Sequence, residues 1–343
     1  MPLCGAASFF RADTSQAGML SGNACGCRSG SRSCGPSAVF DPMTVLVVAV
    51  NYRTPHHAAR LVGSLLRAAD GDSLHVALVD NTEDDVGCIR EEDVPIGNPD
   101  LTFVRAPLNL GYFGGANLGL QRYLLTHAMP DWVVVSNVDI SINDPVDFVR
   151  QLSVFSDPGV GVVAPSIVRE DTGRDLNPFM RSRPSAWRMR AYSLLFRQYI
   201  GLAVYDVLAT MKRRAMRRKE LVRADNLPCG SRPGEQIYAP HGSLICLSRQ
   251  FFERGGSLKY QPFLFGEEVF VAEQARQLSL RVLYAPMMVV QHSSSASISL
   301  IRSRVIHRYV RESSRYLAEH YFGKRLTDRP VTTVGSDRDG AGN

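Results

Sequence analysis

"TVLVVAVNYRTPHHAARLVGSLLRAA" (residues 44–69) decides the fold class. Its first nine residues are an apolar, mostly β-branched run without polar alternation, as expected of a parallel strand buried on both faces. Pro55 then suits a first helical turn, and apolar residues recur at helical spacing. The same two-step pattern continues along the chain. Strands are read at "LHVALVDN" (74–81), "LTFVRAP" (101–107), "DWVVVSNVDI" (131–140) and "GVGVVAPSIV" (159–168). Helices are read at "ANLGLQRYLLTH" (116–127) and "DPVDFVRQLSVF" (144–155). Further on come "SLICLSRQFFERGG" (243–256, strand then short helix), "GEEVFVAEQARQLS" (266–279, helix) and two strands, "LRVLYAP" and "MMVVQH" (280–292). A last helix is expected from about 299 to 322. This alternation predicts an α/β domain, a single doubly wound, mixed but mostly parallel sheet flanked by helices.

The chain has 343 residues, 45% hydrophobic and 21% charged, which suits one large α/β domain. No stretch has the length and apolarity of a spanning helix, and the N-terminus lacks the basic-then-apolar plan of a secretory signal. The expectation is a protein of the cytosolic side. Four of the seven cysteines (Cys4, Cys25, Cys27, Cys34) fall in a Gly/Ser-rich start without the paired spacing of structural zinc modules. Residues 1–42 are therefore read as a disordered leader, with Met43 as an alternative start; 43–325 is the working domain, and 326–343 a disordered tail. Within the domain, 181–223 carries twelve Arg and Lys against Asp206 and Glu220, a local charge of +10 in a chain of net +6. One basic segment sits on a mildly acidic body.

In open α/β sheets ligands sit outside the carboxyl ends of the strands. Asn51 and Tyr52, Asp80 and Asn81, and Asn137 and Asp139 all fall at such ends. Among them lies "NLGYFGGANLGLQRYLL" (109–125), a glycine-dense loop that opens a helix. The loop is not the G-x-G-x-x-G of dinucleotide enzymes, and no G-K-[ST] phosphate loop occurs, which counts against an NAD enzyme or an ATPase.

"VVAVNYRTP", "LVDN", "NLGYFGGANLGL", "VVVSNVDI", "FLFGEEVF" and "VLYAPMMVVQHSSSAS" together resemble family 2 glycosyltransferases of the glycosyltransferase A fold, over roughly residues 44–325. The resemblance is greatest to bacterial members that add sugars such as rhamnose to cell-envelope polysaccharides. It implies that Asn51 and Tyr52 flank the base and ribose of a nucleotide-sugar donor. Asp80 then reads the edge of a uracil or thymine ring, the other reading being a turn residue capping its own loop. Gly111, Gly114 and Gly115 lie beneath the nucleotide and sugar, Gly114 and Gly115 allowing close approach; Asn109 and Asn117 hold the loop's shape or touch the donor, and Gly119 serves helix-to-sheet packing. "NVD" departs from the family's D-x-D: Asn137 takes the first acidic position and Asp139 keeps the carboxylate for Mg²⁺ or Mn²⁺. His292 stands where relatives keep a histidine near the metal, or else is structural. Glu268 aligns with the catalytic base, with Glu267 as runner-up and a helix cap as the bland reading of one of them. His241 lines the acceptor side or makes a loop hydrogen bond.

The basic segment "AWRMRAYSLLFRQYIGLAVYDVLATMKRRAMRRK" (186–219) places apolar residues at Leu195, Tyr199, Leu202, Val207, Leu208 and Met211. An amphipathic helix of this kind can lie on an anionic membrane surface, the reading preferred here; the others are RNA binding, a cover over the acceptor groove through its apolar face, and a merely solvated charged face. It lacks the interleaved aromatics of an RNA module, so no nucleic-acid partner is expected. The leading expectation is an inverting, metal-dependent transferase. It would move a sugar from a UDP- or dTDP-sugar to a hydroxyl of a cell-envelope or lipid-linked glycan, in the cytoplasm and peripheral to the inner face of the membrane. The alternative is a non-catalytic sugar-nucleotide or glycan-binding module that has lost full metal binding through Asn137.

Overall fold

The computed structural model describes residues 43–68, 74–83, 86–202, 205, 234–293 and 304–323, all within the unit Pro42–Asn343. The expected leader, the basic segment from 206 onward, the start of the last helix and the tail lie outside the described residues.

The elements in chain order are β1 (Val45–Asn51), α1 (Pro55–Leu66), β2 (Leu74–Asp80), β3 (Leu101–Arg105), α2 (Tyr112–Tyr123), β4 (Trp132–Asn137), β5 (Ile140–Ser141) and α3 (Pro145–Ser153). There follow β6 (Val160–Arg169), α4 (Ala186–Leu195), β7 (Glu235–Gln236), β8 (Leu244–Ser248), α5 (Arg249–Glu253), α6 (Glu267–Gln277), β9 (Arg281–His292) and α7 (Arg304–Tyr321). The strands form one nine-stranded sheet in the order β3-β2-β1-β4-β8-β6-β9-β5, with β7 on β9. Pairing is parallel through β3-β2-β1-β4 and between β6 and β9, while β8 runs antiparallel to both its neighbours. The α/β expectation holds.

The apolar run of β1 is explained by burial on both faces. Leu46, Val48 and Val50 join Phe113 and Ala116 of α2 and Phe270 of α6 in one core layer. Val45, Val47 and Ala49 join Leu61 and Leu65 of α1 and Phe148 and Leu152 of α3 in the other. A strand alternates its side chains between faces, so only a run with no polar member satisfies two cores.

Two expectations are corrected. The two strands read over 280–292 are one strand, β9, whose pairing with β6 shifts register between Pro165 and Ser166; that irregularity absorbs Pro286 without ending the strand. The long basic helix is also interrupted, because α4 ends at Leu195 and the chain is helical again only at 199–202. A Cβ at Gly201 would run into the carbonyl oxygen of Leu195, so the chain folds back tightly there. Several of the segment's arginines are spent inside the protein. Arg183 grips the fully buried Glu273 of α6 at 2.6 and 3.1 Å, where Tyr238 Oη (2.7 Å) and Arg276 (3.0 Å) also bind. Arg190 donates to the carbonyl of Phe322 at 2.8 Å, and Arg181 pairs with Glu235. Among the described residues no helix is long and apolar enough to cross a membrane.

Candidate active site

Parallel pairing aligns the polar strand ends. Asn51 lies opposite Asp80, and Val50 opposite Asn137, so three strands deliver polar residues to one edge of the sheet. Asp80 is completely buried and both its oxygens are occupied. Oδ1 accepts from Asn51 Nδ2 at 3.0 Å and Thr82 N at 3.2 Å, and Oδ2 accepts from Ile89 N at 2.7 Å. Asn51 Oδ1 in turn accepts from Thr54 N and Oγ1 at 3.2 and 3.0 Å. Asp80 thus ties β1, β2 and the loop to Ile89 together, in the manner of a capping turn residue. Tyr52 is 44% exposed on the rim, with the Arg53 guanidinium 5.4 Å from its ring centre.

The glycine loop presses against the protein's own sheet. A Cβ on Gly115 would stand 2.9 Å from Val50 Cγ1 and from Asn81 Nδ2, and one on Gly114 would stand 2.9 Å from Leu110 Cβ. Gly115 therefore also serves close packing of α2 on β1 and β2. Gly119 fits its packing role, with Val48 Cγ1 and Val79 Cγ2 at 2.7 and 2.8 Å from a modest added methyl. Gly111 has φ of 73° and lies against the Phe263 carbonyl, leaving no space for a side chain. The loop is held mainly by Asn81, whose Nδ2 donates to Gly111 O at 2.7 Å; Asn109 Oδ1 adds a bond from Gly111 N at 3.0 Å. Asn81 was noted on the rim but not singled out as the residue that holds the loop. Asn117 lies half-buried along α2.

On the other side of the rim, the β4–β5 turn carries Asp139, and β5 pairs antiparallel with the end of β9, setting Ile140 opposite His292. His292 Nε2 lies 3.7 Å from Asp139 Oδ2. Asn137 anchors the turn, its N–H donating to Ser243 O at 2.9 Å. Behind Asp139, Arg60 of α1 reaches His57 Nδ1 (3.1 Å) and Ser293 Oγ (3.2 Å), and Ser293 Oγ donates to Glu170 (2.9 Å). Burial raises the Asp139 carboxyl above its ordinary range, an effect that His292, His57 and Arg60 partly oppose.

The third contributor is the start of α6. Phe265 (φ 72°) and Gly266 (φ 85°) are consecutive left-handed residues, a costly backbone for phenylalanine. The turn is held because the Phe265 carbonyl accepts from Tyr260 Oη at 2.8 Å and from Ser313 Oγ of α7 at 2.6 Å. It delivers Glu267 and Glu268 to the site. Burial, with Glu268 beside it, lifts Glu267 to about 8. Burial also raises Glu268, which is opposed by backbone N–H groups of Glu268, Gly242 and Gly266. The Gly242 contact brings in the neighbouring His241, whose ring lies 6.5 Å from that of His292 and whose pKa is driven down to about 4 by burial and by His292. His241 Nδ1 accepts from Ser243 N at 3.2 Å, so the loop hydrogen bond expected of it is present.

Asp139, His292, Glu267, Glu268 and His241 therefore converge, and they are joined by Tyr112, the first residue of α2. Its hydroxyl is buried, and burial together with Glu267, Asp139 and Glu268 holds its ionisation well above the ordinary tyrosine range. Six buried side-chain polar atoms lack a hydrogen-bond partner among the described residues, and four belong here: Tyr112 Oη, Asp139 Oδ1, Glu267 Oε1 and His292 Nδ1. Each such atom costs about 1–3 kcal/mol, against a total stability of about 5–15 kcal/mol for a typical domain. Four together, from four elements, mark a place built for a ligand. A cavity of about 370 Å³ lined by Thr102, Arg105, Arg122 and Leu125 lies elsewhere, near the far end of α2.

The residues fit a divalent cation in part. Asp139 in the β4–β5 turn and His292 at the end of β9 offer one carboxylate and one imidazole, each with an unpartnered atom; among the described residues no group of three such ligands forms. Mg²⁺ or Mn²⁺ held by one or two protein ligands takes its remaining positions from phosphate oxygens and water.

No protein-family profile matches the chain, and no curated protein matches it. Solved structures do. GalNAc-T7 with UDP, GalNAc and Mn²⁺ aligns with 74% of this chain at 16% identity and a TM-score of 0.46. The mannosyltransferase PcManGT from Pyrobaculum calidifontis, in complex with GDP-Man and Mn²⁺, aligns with 84% at 18% identity and 0.45. A mycobacterial protein aligns with 80% at 17% identity and 0.44. The matches span 44%, 65% and 74% of those chains, so this chain corresponds to less than half of the first.

Proposed function

We propose that the protein is a metal-dependent, inverting glycosyltransferase of the family 2 type, using a UDP- or dTDP-sugar and a hydroxyl acceptor on a cell-envelope or lipid-linked glycan. The observation that carries the reading is the set of four unpartnered buried polar atoms between the β4–β5 turn, the end of β9 and the first residues of α2 and α6. Asp139 and His292 would hold Mg²⁺ or Mn²⁺, whose charge would offset that of a departing diphosphate. Glu268 takes the proton of the acceptor hydroxyl, its raised pKa suiting a base that works near neutral pH. A single displacement at the anomeric carbon inverts it. Glu267, lifted to about 8, is protonated at neutral pH and can donate a hydrogen bond, and His241 is neutral on the acceptor side. Asn51, Asp80 and Asn81 build the nucleotide edge, with Tyr52 exposed to stack beside the base.

For the membrane, an exposed apolar group supports peripheral binding: Trp187, Leu194, Ile200 and Val305 are between 51% and 74% exposed. Arg188, Arg197, Arg304 and Arg308 lie close by in sequence, and the basic residues 212–219 follow. Apolar side chains rimmed by arginine match an anionic bilayer surface.

The test is a screen of sugar nucleotides for release of nucleoside diphosphate, with and without Mn²⁺ or Mg²⁺. Metal-dependent release from one class of donor is expected. No release together with no nucleotide binding would refute the reading. Binding without release would favour the non-catalytic module, which Asn137 in the place of an acidic ligand would explain.

A further inference from the structure

Tyr112 packs half-buried against the core, yet its buried hydroxyl has no hydrogen-bond partner among the described residues. The backbone before it is pinned by Asn81 on the Gly111 carbonyl (2.7 Å) and by Phe263 against Gly111. The next residue, Phe113, is fully buried and packs edge-on to Phe270 of α6 and to Tyr260, at 6.2 and 6.5 Å between ring centres. The starts of α2 and α6 are thereby clamped together, with the Tyr112 hydroxyl buried between them. Tyr238, Tyr260 and Tyr284 each find an acceptor for theirs: Glu273, the Phe265 carbonyl and Asp175. Phenylalanine at 112 would fill the same space without a stranded hydroxyl.

The surroundings select the missing partner. Glu267 Oε1, also unpartnered, belongs to the first residue of α6, and Asp139 and Glu268 are near. Three carboxyl groups disfavour a bare anion at this spot. A neutral hydroxyl, which both donates and accepts, satisfies a phenol and a carboxyl oxygen together. We propose that Tyr112 and Glu267 jointly bind a hydroxyl of a sugar, and that Tyr112 is a specificity-determining contact for it. This rests on the transferase reading above. Sites that hydrogen-bond a substrate hydroxyl reject analogues lacking it, because the site's own groups are then left bare.

Tyr112→Phe separates the possibilities. Without ligand, the variant's melting temperature should equal or exceed that of the wild type, since only an unpaired hydroxyl is lost; a clear fall would show that the hydroxyl is bonded within the protein and would overturn the proposal. With UDP or dTDP alone, affinity should stay within about twofold. With UDP- and dTDP-linked hexoses and 6-deoxyhexoses, the variant should lose about 10- to 100-fold in kcat/KM on the accepted donors. It should also discriminate less between a hexose and its deoxy counterpart. A loss confined to donor KM and donor choice places the hydroxyl on the transferred sugar; a loss confined to acceptor KM places it on the acceptor. Unchanged kinetics and unchanged binding of an accepted donor would overturn the sugar contact alone. A wild type that binds neither nucleoside diphosphates nor any sugar nucleotide would overturn the transferase reading, and the contact with it.

Discussion

Asp80 and Asp139 are both buried aspartates near the carboxyl ends of parallel strands, and they are treated in opposite ways. Asp80 receives three donors, from Asn51, Thr82 and Ile89, and binds two strands and a loop into one piece. Asp139 has an oxygen with no partner, a histidine at 3.7 Å, and a carboxyl pushed upward by burial. The same contrast extends along the rim. On the β1–β2 side Asn51, Asn81 and the glycine loop spend their hydrogen bonds on one another; on the β4–β5, β9 and α6 side, Tyr112, Glu267 and His292 hold theirs in reserve. Satisfied groups stabilise the fold, whereas stranded groups cost stability and wait for a ligand.

The largest expected effect lies on the stranded side. Glu268→Gln keeps shape but cannot accept a proton, so turnover should fall by about 10²–10⁴ with donor affinity nearly unchanged, as read from steady-state and nucleotide-binding measurements. If Glu267→Gln is inactive and Glu268→Gln retains normal turnover, the base lies one residue earlier; normal turnover in both would leave the two as caps of α6. On the satisfied side, Asn81→Ala removes one of the two donors to the Gly111 carbonyl, which keeps Gly115 N at 3.0 Å, and should destabilise the fold by about 0.5–1.5 kcal/mol in urea unfolding. Unchanged stability there would break the contrast.

A pH profile sharpens it. Glu267 is raised in the folded state from an ordinary value of 4.5 to about 8, so the fold binds a proton that the unfolded chain has released. The stability this group contributes is full below about 4.5 and is lost as pH rises toward 8. Glu267→Gln should flatten that part of the melting profile, and an unaltered slope would count against a buried, protonated Glu267. The smallest effect concerns the surface. Sedimentation with anionic liposomes should weaken with salt and on changing Lys212, Arg213, Arg214, Arg217 and Arg218 to glutamine, at about 1 kcal/mol per charge near the lipid. Equal binding to neutral vesicles would contradict an electrostatic membrane contact.

The sheet was legible because β1, β2 and β4 are uninterrupted apolar runs, and two-sided burial leaves no other pattern. Gly119 was legible as packing because it follows on the helix behind the loop. The packing of Gly115 against Val50 and Asn81 was not, since those neighbours come from β1 and from the residue after β2. Nor could periodicity show that β9 runs on through Pro286, as the register shift against β6 is a property of the partner strand. The bond from exposed Arg183 to the buried Glu273 joins residues 90 apart, and Arg183 read as one more surface charge. Nothing in the sequence marks Tyr112, because a stranded hydroxyl is visible only once its neighbours are in place.

The most direct test of the contrast is the stability of two matched variants, Asp80→Asn and Asp139→Asn, measured by urea unfolding at neutral pH without metal or nucleotide. Asp80→Asn turns an acceptor toward donors it can no longer all receive and should destabilise by about 1–3 kcal/mol for each donor left unpaired. Asp139→Asn removes a charge that burial disfavours; the one backbone hydrogen bond its carboxyl accepts, from its own N–H, can still be accepted by the amide oxygen, so stability should be unchanged or raised. Equal destabilisation by both would contradict the account.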